Sequence, residues 1–133
     1  MMNLYFDFDG VLSIESIQRF CQKLSMGECI RVSCITTRNE KNADEVREIC
    51  DALGMPCYIL GDMIDEGIIS CKADYIRMKM RFMDLMGEDS FILFDNDPNE
   101  ICEALKRGIL AFLVPSYLTE GLFEGIDFDV IMR

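Results

Sequence analysis

Five short segments of this chain are mostly apolar and rich in branched or aromatic residues: 3–8, 30–35, 57–60, 91–94 and 109–114. A strand without polar alternation is covered on both faces. Between these segments the apolar residues recur at helical spacing. Ile14, Ile17, Phe20, Cys21 and Leu24 would share one face of a helix over 14–24, with Ser13 as its cap. Ala43, Val46, Ile49, Cys50 and Leu53 would do the same over 40–53, which Gly54 and Pro56 would stop. A methionine-rich helix is expected over about 71–86, with Met78, Met80, Met83 and Met86 as core filler, and another over 98–107 that begins at a proline. Residues 61–70 look like a loop or short hairpin. Strands alternating with helices imply an α/β fold, a parallel sheet between two helical layers.

Composition narrows the chemistry. The chain has 133 residues, the size of one domain, and 50% are hydrophobic, enough for a real core. Neither a signal peptide nor a membrane-crossing run is visible, so a cytoplasmic location is expected. The seven cysteines are odd in number and form no Cys-x-x-Cys pair, which favours free buried thiols over a disulfide frame or a zinc site. A net charge of −11 disfavours general nucleic-acid binding. There is no histidine, so acid–base work falls to carboxylates, lysine, tyrosine or cysteine.

In an open parallel sheet, ligands bind beyond the carboxyl ends of the strands. The first strand delivers Asp7 and Asp9, followed by Gly10, which permits a sharp turn. On a strand, positions i and i+2 face one way, so both carboxylates would point past the strand end, with Phe6 and Phe8 turned away. Two like charges this close need a cation or a shared proton. The second strand delivers Thr36, Thr37 and Arg38, and the fourth delivers Asp95, Asn96 and Asp97. Lys72 opens the helix that precedes the fourth strand.

This set resembles the haloacid dehalogenase-like phosphatase superfamily over roughly residues 3–114. Its four motifs correspond to Asp7-Phe8-Asp9-Gly10, Thr36, Lys72 and Asp95-Asn96. The resemblance implies a Rossmann-like three-layer sandwich with a five-stranded parallel sheet in the order 5-4-1-2-3. It implies Asp7 as nucleophile, forming an aspartyl-phosphate, and Asp9 as proton donor to the leaving oxygen. Thr36 would hydrogen-bond the transferring group, and Lys72 would offset charge. Mg²⁺ would be held by Asp7, Asp95, Asn96 and the backbone carbonyl of Asp9. Thr37 and Arg38 are candidate substrate-binding residues; Thr36-Thr37-Arg38 is similar to the Ser-Gly-Arg of polynucleotide 3′-phosphatase domains. The second acid of the last motif is Asn96, as in phosphatases acting on the polymerase tail. Asp97 is either a further acid of that site or the cap of the helix beginning at Pro98.

Spacing bears on access. About 26 residues separate Asp9 from Thr36 and 35 separate Thr36 from Lys72, which core elements nearly use up. A single domain over 1–133 without a cap is therefore expected. An open site would admit a phosphorylated nucleotide, a polynucleotide end or a phosphoprotein, with 61–70 and 115–133 as recognition elements. A receiver-like phosphorylation switch is the rival from another class, with Asp62 near its phosphoacceptor position. It would need Thr or Ser after the fourth strand and Lys after the fifth, where this chain has Asp95 and Val114-Pro115-Ser116. A catalytically silent binding scaffold is the third reading.

Overall fold

The computed structural model describes residues 1–83 and 87–115. Its strands are β1 (Met2–Asp7), β2 (Ile30–Thr36), β3 (Cys57–Ile59), β4 (Ser90–Asp95) and β5 (Leu110–Leu113). They form one five-stranded sheet in the order β3-β2-β1-β4-β5, and every pairing is parallel. This is the expected α/β architecture and strand order. The helices are α1 (Glu15–Leu24), α2 (Asp44–Leu53), α3 (Gly61–Asp65), α4 (Lys72–Met83) and α5 (Pro98–Lys106). Among the described residues no helix is long and apolar enough to cross a membrane.

Two hydrophobic clusters flank the sheet. Leu4, Phe6, Val32 and Cys34 project from the strands to meet Ile17, Phe20 and Cys21 of α1 and Val46 and Cys50 of α2. On the other face Tyr5, Ile35, Phe91, Leu93 and Ala111 meet Ala73 and Ile76 of α4 and Ala104 of α5. Each fully buried large side chain, such as Ile17 or Ile76, contributes about 1.5–3 kcal/mol. Phe6, Phe94 and Phe112 are register partners on adjacent strands, and their rings stack at centroid distances of 4.7 and 5.6 Å. The stack fixes β1, β4 and β5 relative to one another, and with them the strand ends.

Several local expectations need correction. Ser13 does not cap α1. Ile14 stands at that position, and the Ser13 hydroxyl instead accepts the Gly10 N–H at 3.0 Å. Residues 40–53 are not one helix; a 3₁₀ turn over Glu40–Asn42 breaks at Ala43 before α2 begins. Residues 61–70 are not a hairpin, because 61–65 form α3. The far end of the helix expected to 86, with Met86, lies outside the described residues, and so does the recognition element expected beyond Pro115. Gly54 closes α2 in the left-handed conformation, as expected.

Candidate active site

β1 ends at Asp7, and the chain then turns over Phe8–Leu12, kinked at Asp9 and Gly10, whose backbones are not helical. Gly10 sits there at φ 74, a conformation a side chain disfavours. Strand geometry therefore places Asp7, but the turn places Asp9. The outcome is still convergence, since both line one cavity. Phe8 drops into the α1–α2 core beside Phe6.

β4 brings Asp95 to the same edge, and α4 starts there with Lys72. The Lys72 ammonium lies 2.6 Å from Oδ1 of Asp7 and 2.6 Å from Oδ2 of Asp95. All three groups are buried. One cation thus joins the first and last strand-end acids. The other oxygen of Asp95 accepts the Asp97 N–H at 3.0 Å, which curls the loop after β4 back over the site. The Asp97 carboxylate accepts the Asn99 N–H at 2.9 Å, so it caps α5.

Electrostatics follow from burial and this shared cation. Burial pushes the Asp7 carboxyl up to about 7; Lys72 pulls it down, and Asp95 adds to the rise. Burial would pull the Lys72 ammonium down, but the two carboxylates outweigh it and raise it above the ordinary lysine value.

Arg38, the candidate substrate-binding residue, reaches across to Asp9. Its guanidinium grips Asp9 with two bonds, Nε to Oδ2 at 3.0 Å and Nη2 to Oδ1 at 2.6 Å. Nη1 donates to the Asn42 carbonyl at 3.1 Å and to Glu45 at 3.3 Å. The group also lies over the Phe8 ring, 5.0 Å from its centroid. Hydrogen bonding to Asp9 raises its pKa further. Its side chain therefore holds Asp9 through an exposed, two-bond contact.

The loop after β2 is braced from outside. A methyl group on Gly61 would come within 2.5 Å of the Thr37 carbonyl and 2.6 Å of the Arg38 carbonyl. The Gly61 N–H donates to the Arg38 carbonyl at 3.0 Å. The buried Thr36 hydroxyl accepts the Arg38 N–H at 3.2 Å. Thr37, not Thr36, lines the cavity.

That cavity, of about 240 Å³, is bounded by Asp7, Asp9, Thr37, Lys72, Asp95, Asn96, Asp97 and Glu100. Glu100 was not singled out by the sequence. Its Oε2 accepts the Lys72 backbone N–H at 3.1 Å, so it anchors the start of α4, and burial raises its pKa. In the sequence Asp97-Pro98-Asn99-Glu100, Glu100 is marked only as a first-turn acid three residues after the cap. A larger cavity, of about 300 Å³, lies on α4 between Tyr75, Met78, Lys79 and Phe82. No carboxylate is among these lining residues.

Among the described residues no group of three or more His, Cys, Asp or Glu side chains is placed to hold a metal ion. Mg²⁺ does not require one, because it takes one or two carboxylates and keeps several waters. Asp7 and Asp95, an amide at Asn96 and the carbonyl of Asp9 are hard oxygen donors of that kind around one cavity. Asp62, the acid on which a receiver-like switch would depend, is bonded instead to Asn39 at 2.6 Å. Compared with known proteins, the chain matches no family model, no curated protein and no solved structure.

Proposed function

We propose that this chain is a phosphatase of the haloacid dehalogenase-like type, hydrolysing phosphate monoesters through an aspartyl-phosphate on Asp7. The supporting observation is the Lys72 ammonium shared by Asp7 and Asp95 at 2.6 Å each, at the floor of an open cavity. Lys72 holds one oxygen of Asp7 and leaves the other to attack phosphorus. Its positive charge also lowers the repulsion between that carboxylate and a phosphate dianion. Bound Mg²⁺, with Asp7, Asp95, Asn96 and the Asp9 carbonyl as its holders, would supply the remaining charge neutralisation.

Asp9 then has two proton transfers to perform. It gives a proton to the leaving alkoxide, and afterwards takes one from the water that attacks the acyl-phosphate. Arg38 donates to both oxygens of Asp9, so it must slacken its grip when Asp9 exchanges a proton with the substrate. An incoming phosphoryl group offers Arg38 competing oxygens. The Thr37 hydroxyl, at the cavity wall, and that of Thr36 beneath it are the donors available to the phosphoryl oxygens.

We infer further that, among the described residues, no cap domain covers the site. Between Asp9 and Lys72 the chain is used by α1, β2, α2, β3 and α3, all parts of the sheet and its flanking layers or short turns. The cavity takes a phosphoryl group and leaves the rest of the substrate outside, which suits a nucleotide, a polynucleotide end or a phosphoprotein. The net charge of −11 works against long polyanions.

Asp7→Asn tests the reading. Hydrolysis of an aryl phosphate in the presence of magnesium should be lost in the variant, with the circular dichroism unchanged. Retention of most of the activity would refute Asp7 as nucleophile. Full turnover in excess chelator would refute the magnesium requirement.

A further inference from the structure

Three thiols meet on the α1–α2 side of the sheet, in a part of the molecule the phosphatase reading leaves unused. Cys34 on β2 and Cys57 on β3 are register partners, so their side chains leave the sheet in the same direction. Cys50 on α2 lies in the same hydrophobic cluster as Cys34, and Cys57 packs against that cluster, so the three sulfurs share one pocket of the core. The intervening chain reverses tightly. Gly54 turns at φ 68, the Met55 N–H donates to the Cys50 carbonyl at 3.0 Å, and the Cys34 N–H donates to the Pro56 carbonyl at 2.9 Å. The fold itself therefore holds positions 50 and 57 side by side.

The three thiols are not equivalent. Cys34 and Cys50 are buried, whereas Cys57 is half-buried on the edge strand. The hydrogen bond with Cys50, then burial, pushes the Cys34 thiol far up, and burial raises Cys57. Cys50 goes the other way, because the hydrogen bond from Cys34 stabilises its thiolate. The arrangement is one accessible sulfur, on Cys57, beside one buried sulfur, on Cys50.

We propose that Cys50 and Cys57 are an oxidisable pair, which hydrogen peroxide closes to an intramolecular disulfide. Peroxide converts the Cys57 thiol to a sulfenic acid and leaves as water. The Cys50 sulfur attacks that sulfenic sulfur, the S–O bond breaks, and the hydroxide released combines with the Cys50 proton as a second water. Cys34 takes no part in the bond and serves as hydrogen-bond donor to Cys50. The resulting bridge ties the end of α2 to the start of β3.

The test is a peptide map of the full chain after peroxide treatment and alkylation of the remaining thiols. Both cysteines fall on the tryptic peptide 48–72, so closure reads as loss of two hydrogens without alkylation at 50 or 57. Cleavage before Asp51 then separates the two halves, still joined until dithiothreitol is added. Cys57→Ser should leave Cys50 open to alkylation after unfolding. A variant lacking the exposed Cys29 and Cys102 should form the bridge as the unaltered chain does. A Cys34–Cys50 linkage, or Cys50 and Cys57 both recovered as thiols while Cys29 and Cys102 oxidise, would overturn the proposal. Because the readout is mass and not turnover, this result is independent of the phosphatase reading.

Discussion

Asp7 and Asp9 stand two residues apart and both meet a cation, yet under opposite conditions. The Asp7–Lys72–Asp95 contacts are buried, with side-chain exposures of 9, 3 and 0%. The Asp9–Arg38 pair is open, at 58 and 25%. Burial makes the first cluster costly to disturb, because any member left alone is a charge without water. Exposure makes the second pair cheap to open, because water replaces either partner. The division suits the proposed chemistry, in which Asp7 must stay fixed while Asp9 must exchange a proton and a partner.

Removing Lys72 should break the comparison most severely. Lys72→Met leaves two buried carboxylates without a counter-charge, a loss of about 3–5 kcal/mol at pH 7. Denaturant unfolding measures it, and a loss below about 1 kcal/mol would show that the cluster is not electrostatically critical. The loss should shrink at pH 5, where the raised pKa keeps Asp7 protonated.

Titration sharpens the same side. With Asp7 raised from 3.8 to about 7, the folded chain holds a proton that the unfolded chain has already released across that window. Stability from this group therefore falls as pH rises from about 4 to about 7, then levels. Asp7→Asn lacks that slope, so its denaturation midpoint should gain on the unaltered chain through the window and run parallel above it. Parallel curves throughout would show that Asp7 titrates normally.

The open side should yield smaller stability effects. Gly61→Ala forces a methyl group against the Thr37 and Arg38 backbone, with an expected loss of about 1–3 kcal/mol. It should also raise KM for aryl phosphate, since Thr37 moves with the loop. Arg38→Ala should change stability by no more than about 1 kcal/mol. Its effect should appear in kcat/KM, with Arg38→Lys restoring only part, because an ammonium cannot reproduce the two-bond grip.

The fold was legible where a periodic pattern ran long enough. The mostly apolar runs located all five strands within about two residues of their ends, and Gly54 marked the end of α2. Strand order came from the family resemblance, not from periodicity. α3 was missed because five residues hold little more than one turn, too few to display a period, and it opens on a glycine. Ser13 misled because its hydroxyl serves the turn at Gly10 rather than the helix after it. Asp7, Lys72 and Asp95 were readable as elements' ends, and the structure gathers them. Arg38 was readable as a neighbour of the site but not as the partner of Asp9, since that contact joins positions 29 residues apart. Glu100 looked like an ordinary first-turn acid and only its bond to another helix distinguishes it.

The row of phenylalanine rings across β1, β4 and β5 has a practical consequence. The chain contains no tryptophan, so its ultraviolet emission carries little information. Phe112 ends that row and is about half exposed, which leaves space for an indole. A lone tryptophan there would give this protein a fluorescent gauge of whether the outer strand has docked.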